Sequence, residues 1–80
     1  MKKKITYRML YDKLRTSGFS ESTVQHNGHT RHVFRLPREK ASILDLPDRP
    51  DQEAHNMHIL VVRTILDRYG LIDENAWLGV

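Results

Sequence analysis

The chain has 80 residues, no cysteine and a formal net charge of +3, with 39% hydrophobic and 29% charged residues. This describes one small folded domain with a thin core, and it excludes a disordered chain, a disulfide framework and a thiolate metal site. No apolar run approaches the roughly 20 residues of a membrane span, and Lys2-Lys3-Lys4 is not followed by the apolar stretch of a secretory signal, so the expectation is a soluble, cytoplasmic protein.

In chain order, residues 6–17 read as a helix. Tyr7, Leu10, Tyr11 and Leu14 form one apolar stripe, Thr6 is placed to cap its start, and Gly18 stands where a left-handed residue ends a helix. From residue 20 the helical period is lost, and Asn27-Gly28 is a hairpin signal because a type I′ turn needs positive φ at both central residues. Strands are therefore expected near 21–26 and 31–36. A third is expected near 41–46, ended by Pro47, with Leu44 and Leu46 on one face. The polar loop 48–53 leads to a second helix over about 53–69, on which His58, Val62, Ile65, Leu66 and Tyr69 form a stripe widened by Ile59 and Val61. The order α-β-β-β-α predicts a two-layer α+β domain, a three-stranded antiparallel sheet with both helices on one face. The whole chain is one domain, with a core over about 5–72 and an extension over 73–80 that contains Trp77.

Charge is uneven along the chain. Residues 1–40 hold ten Lys and Arg against three Asp and Glu and carry +7, while residues 41–80 carry −4. A basic half is a soft pointer to a polyanionic partner. Within it, His26-Asn27-Gly28-His29-Thr30-Arg31-His32-Val33-Phe34-Arg35 joins three histidines to two arginines. Imidazole exchanges protons near neutral pH and arginine holds phosphate, a combination suited to chemistry on RNA. His26, in the first strand, is a candidate to face His32 and complete an acid–base pair. A metal site is not expected: odd offsets alternate strand faces, so His26, His29 and His32 do not converge, and His55 and His58 lack the intervening glutamate of a zinc-protease helix. Tyr7, Tyr11 and Tyr69 fall on apolar stripes and are expected to pack in the core rather than stack on bases.

Four segments, in order, resemble the HicA-type toxins of bacterial toxin–antitoxin modules. Leu14-Arg15-Thr16-Ser17-Gly18-Phe19 is similar to the end of that family's first helix, and His32-Val33-Phe34-Arg35-Leu36-Pro37 to its histidine strand. Leu44-Asp45-Leu46-Pro47 is similar to its third strand, and Val62 to Leu71 to the end of its second helix. The resemblance implies a fold like that of double-stranded-RNA-binding domains. It also implies a type II toxin that cleaves mRNA without metal or other cofactor, His32 as general base, and a HicB-like antitoxin as partner. Lys2, Lys3, Lys4, His29, Arg31 and Arg35 are the candidate RNA contacts. The chain departs from the family in one motif. The usual Gly-Ser, one residue, then His becomes Gly28-His29-Thr30-Arg31-His32, one residue longer and without the serine. The 48–53 loop is also acidic, and a module on the same fold that binds RNA or protein without cutting is the other expectation.

Overall fold

A computed structural model of the chain describes residues 4–37 and 43–71. The elements follow the expected order: α1 (Tyr7–Thr16), β1 (Ser20–His26), β2 (His29–Arg35), β3 (Leu44–Pro47) and α2 (Asn56–Arg68). The extension 73–80, Lys2 and Lys3 lie outside the described residues.

α1 begins as its sequence dictates. Thr6 is extended (φ −99°, ψ 163°), and its side-chain oxygen accepts from the Met9 amide at 3.4 Å. Two further first-turn amides need acceptors. Tyr7 N–H donates to the Gln52 carbonyl at 3.1 Å and Arg8 N–H to the Pro50 carbonyl at 3.0 Å. The first turn of α1 is thereby tied to the loop after β3. At the other end Gly18 adopts φ +98°, and Phe19 N–H closes back on the Leu14 carbonyl at 3.1 Å.

The hairpin is the one the sequence announces, with Asn27 at φ +52° and Gly28 at φ +80°. A two-residue turn fixes register, so His26 pairs with His29 and His32 pairs with Thr23. The expectation that His26 faces His32 is therefore corrected. β3 joins β2 antiparallel, with Phe34 opposite Leu44 and His32 opposite Leu46. It spans Leu44–Pro47 and ends at a residue with no N–H to extend the ladder; positions 41–42, where the expected strand begins, lie outside the described residues.

Alternation puts Glu21, Thr23, His32, Phe34, Leu44 and Leu46 on one face of the sheet. Phe34, Leu44 and Leu46 join Tyr7, Leu10, Tyr11 and Leu14 of α1 and Val62, Ile65 and Leu66 of α2 in one buried cluster. Both helices thus cover the same face, and the domain is a two-layer α+β structure. Phe34, Leu10, Leu14, Leu46, Leu66 and Val62 are almost fully buried. Truncating any of these leucines to alanine is expected to cost about 2–5 kcal/mol, a large part of the stability of so small a domain.

α2 starts three residues later than its apolar pattern suggests. Residues 50–54 are committed to α1: besides the carbonyls above, Thr6 bridges to Glu53, and Ala54 N–H donates to the Ile5 carbonyl at 2.7 Å. His55 becomes the N-cap, its Nδ1 accepting from Met57 N–H at 3.1 Å. Val61 does not widen the buried stripe; it is 41% exposed, beside exposed Leu60 and Met57. No helix among the described residues is long and apolar enough to cross a membrane.

Tyr7 joins the helices through its hydroxyl, which accepts from His55 N–H at 3.2 Å and meets His58 Nδ1 at 2.7 Å. Burial pushes the His58 imidazole below its ordinary pKa, helped by electrostatic interaction with His55 and Arg31 and opposed by Asp45. A neutral ring with a bare Nδ1 accepts a hydrogen bond from the Tyr7 hydroxyl. Tyr7→Phe is expected to destabilise the domain by about 1–3 kcal/mol, measured by chemical denaturation, because it leaves a partly buried acceptor unpaired. The folded state resists protonating His58, so its stabilising contribution is complete above the unfolded value of 6.5 and is lost as pH falls through the lower folded value. Denaturation midpoints taken on both sides of that pH should fall more steeply for wild type than for His58→Gln.

Candidate active site

His32 sits on the helix-facing side of β2, far more enclosed than a strand-surface residue, with its side chain 13% exposed. Its ring stacks on Tyr11, centroids 4.5 Å apart, and Tyr11 in turn stacks on Phe34 at 5.9 Å. Both ring nitrogens have carboxylate partners. Nδ1 lies 2.6 Å from Glu21 Oε2, and Nε2 lies 2.8 Å from Asp48 Oδ1. A carboxylate only accepts, so while Glu21 and Asp48 are ionised each of these bonds takes its hydrogen from the ring.

Register and helix phase build this arrangement. Glu21 is diagonal to His32 across β1–β2, on the same face. Arg15, in the last turn of α1, grips Glu21 with two hydrogen bonds, Nε to Oε1 at 2.7 Å and an Nη to Oε2 at 3.0 Å, and also reaches Asp12 at 3.0 Å. The Arg15 guanidinium, foremost through its hydrogen bond and then with His32, holds the Glu21 carboxyl below the usual range, although burial opposes this. Glu21 is thus kept ionised against Nδ1.

Asp48 is placed by the loop after β3, which Tyr11 clamps. The Tyr11 hydroxyl donates to the Pro47 carbonyl and accepts from the Arg49 amide at 3.2 Å, so the residues on both sides of Asp48 are bonded to one phenol. Burial raises the Tyr11 pKa, the Arg49 amide bond opposes this, and the charge of Asp48 adds to the rise. The hydroxyl therefore stays protonated and able to donate.

A shallow depression opens beside His32, lined by Arg8, Tyr11, Asp12, Arg15, His32, Asp48 and Pro50. Its cations come from α1. Arg8 carries an exposed ion pair to Asp51 at 2.8 Å, a weak bond that a phosphate can displace. A second, polar groove runs past Gly28, His29, Thr30, Arg31, Pro47, Asp48 and Arg49, so Asp48 borders both.

The structure divides the candidate residues named in the sequence. Arg31 and Arg35 fall on the opposite sheet face from His32, because odd offsets alternate, and Arg31 is paired with Asp45 at 2.6 Å. His29 is exposed beside the turn and Lys4 is exposed ahead of α1. The groups brought to His32 are instead Arg8, Tyr11, Arg15, Glu21 and Asp48. Part of this was written in the sequence: Arg8, Tyr11, Asp12 and Arg15 share one helix face by spacing alone. Glu21 and Asp48 needed the strand register and the loop path. Among the described residues no group of three or more His, Asp or Glu side chains is arranged to hold a metal ion.

Comparison with family models, curated proteins and solved structures finds no match to this chain.

Arg15→Ala is expected to raise the Glu21 pKa toward its ordinary 4.5, read from a carbon-detected NMR titration of the carboxyl group. Because the folded value lies below 4.5, Glu21 contributes stability above that pH and loses it as pH falls through the folded value. The substitution should move that loss to higher pH.

Proposed function

We propose that the protein is a small metal-independent endoribonuclease of HicA type, which acts in the cytoplasm on single-stranded RNA such as mRNA, with His32 as its proton-transfer residue. The carrying observation is the Arg15–Glu21–His32 chain, which ends with Nε2 at the rim of an arginine-flanked depression. An oriented imidazole whose far nitrogen is held by a carboxylate is the usual construction of an acid–base site. The neighbouring arginines supply charge for a phosphate in transit, and the reaction they suit is attack of a ribose 2′-hydroxyl on the adjacent phosphorus. Arg31, Arg35, His29 and Lys4 serve as outlying RNA contacts in this reading, away from the reacting atoms, and Lys2 and Lys3 are further RNA contacts in it. As a toxin of this type the protein pairs with a HicB-like antitoxin whose acidic groups complement the basic half of the chain and cover the depression.

One observation favours a second reading. The depression holds Asp12, Asp48 and, through Arg8, Asp51 beside its arginines. A carboxylate-rich rim repels a polyanion and suits a basic protein surface, as in an interaction module that does not cut.

His32→Gln should reduce cleavage of a structureless RNA by about 10²–10⁴-fold, the usual contribution of a positioned acid or base. RNA binding should persist, since arginine and lysine carry it, with its ordinary salt dependence. EDTA should leave wild-type cleavage unchanged. The assay compares wild type, His32→Gln and His29→Ala, and His29→Ala should retain activity. Absence of cleavage by wild type would favour the interaction module.

A further inference from the structure

The hydrogen bonds around His32 assign a second reacting group, on the basis of the ribonuclease reading above. We infer that Asp48 is the general base of the reaction and that His32 is the general acid, the two acting as one couple across their hydrogen bond.

The proton count at the ring separates the two roles. Glu21 accepts at Nδ1 and Asp48 accepts at Nε2, at 2.6 and 2.8 Å. An imidazole with hydrogen on both nitrogens has no lone pair with which to take a proton; it can only give one. The base must be another group at the same rim. Asp48 borders the depression, is 44% exposed on its side chain, and uses only Oδ1 on His32. Its Oδ2 makes no hydrogen bond among the described residues. Asp48 is also rigidly carried, because the Tyr11 hydroxyl holds the carbonyl before it and the amide after it. A fixed carboxylate whose second oxygen is unbonded among the described residues, 2.8 Å from a proton donor, is a ready acceptor for a hydroxyl proton.

The step balances without a co-reactant. The 2′-hydroxyl proton passes to Asp48 as the 2′-oxygen bonds to phosphorus. The bond from phosphorus to the 5′-oxygen breaks, and that oxygen takes the Nε2 proton of His32. The products are a 2′,3′-cyclic phosphate and a 5′-hydroxyl. The site is left with a protonated Asp48 and a neutral His32, and one proton transfer between them restores the starting state. Glu21 and Arg15 are positioning residues: they hold Nδ1–H and keep the ring's acidic edge toward the rim.

The experiment separates acid from base by the leaving group. A cleavage site is first mapped on a structureless RNA with wild-type protein. The same RNA is then synthesised with sulfur in place of the bridging 5′-oxygen at that site, a leaving group that departs without a proton. On the oxygen substrate, His32→Gln and Asp48→Asn should each lose about 10²–10⁴-fold. On the sulfur substrate, His32→Gln should return to within about tenfold of wild type, while Asp48→Asn should stay low because its attacking hydroxyl still needs a base. Retained binding of a 2′-deoxy analogue by Asp48→Asn shows that the loss is chemical and not one of folding. Asp48→Asn as active as wild type on the oxygen substrate, or rescue of Asp48→Asn and not His32→Gln by sulfur, overturns the assignment while the ribonuclease reading stands. If wild type cuts no site in the RNA, both fall together.

Discussion

The hydroxyl of Tyr11 is the joint on which this small domain turns. It bonds the carbonyl of Pro47 and the amide of Arg49, and the same ring packs between the core and the face of His32. One side chain therefore does three things. It fills the apolar stripe of α1, fixes the path of the loop that leaves β3, and supplies the wall against which the imidazole stacks. Isolated loops of this length are costly to order. Here the cost is met by α1, whose first-turn amides need acceptors in any case and find them in the Pro50 and Gln52 carbonyls. The helix start, the loop and the site are thus one construction.

The electrostatics follow from this construction. Near His32 the carboxylates outnumber the arginines, yet each is matched: Glu21 and Asp12 by Arg15, Asp51 by Arg8, and Asp48 by the ring itself. The basic character that the first half of the sequence displays does not gather at the histidine. It is split by strand alternation, with Arg31 and Arg35 on the face away from the helices. A polyanion bound at the depression would meet the α1 arginines first, displacing exposed ion pairs that contribute little to stability. Tight Arg15–Glu21 contact, which is partly enclosed, would survive that exchange and keep Nδ1 held.

Local signals were legible in the residues and long-range partners were not. Thr6, the Tyr7–Leu14 stripe and Gly18 define α1 to within a residue, and Asn27-Gly28 defines the hairpin, because caps and tight turns depend on a few neighbouring φ and ψ angles. The boundary that moved did so for a tertiary reason. α2 starts late because Glu53 and Ala54 are tied to the segment ahead of α1, Glu53 by its bridge to Thr6 and Ala54 by donating its N–H to the Ile5 carbonyl. His32 stood out through its neighbours in the sequence, and it lines a depression beside α1. The partners that give it chemical meaning, Glu21 and Asp48, lie 11 and 16 residues away. Nothing in composition or periodicity ties them to it; only the register of one hairpin and the clamp on one loop do.

The central claim, that this site cuts RNA through its own 2′-hydroxyl, is tested most directly by the chemistry of the ends. A purified wild-type reaction on a defined single-stranded RNA, analysed by mass spectrometry of the fragments, should yield 2′,3′-cyclic phosphate and 5′-hydroxyl ends. The same strand carrying a single 2′-deoxynucleotide at the cut position should remain whole there. Fragments with 5′-phosphate ends, or cutting of the 2′-deoxy strand at that position, would mean that water and not the ribose attacks, and would contradict the account.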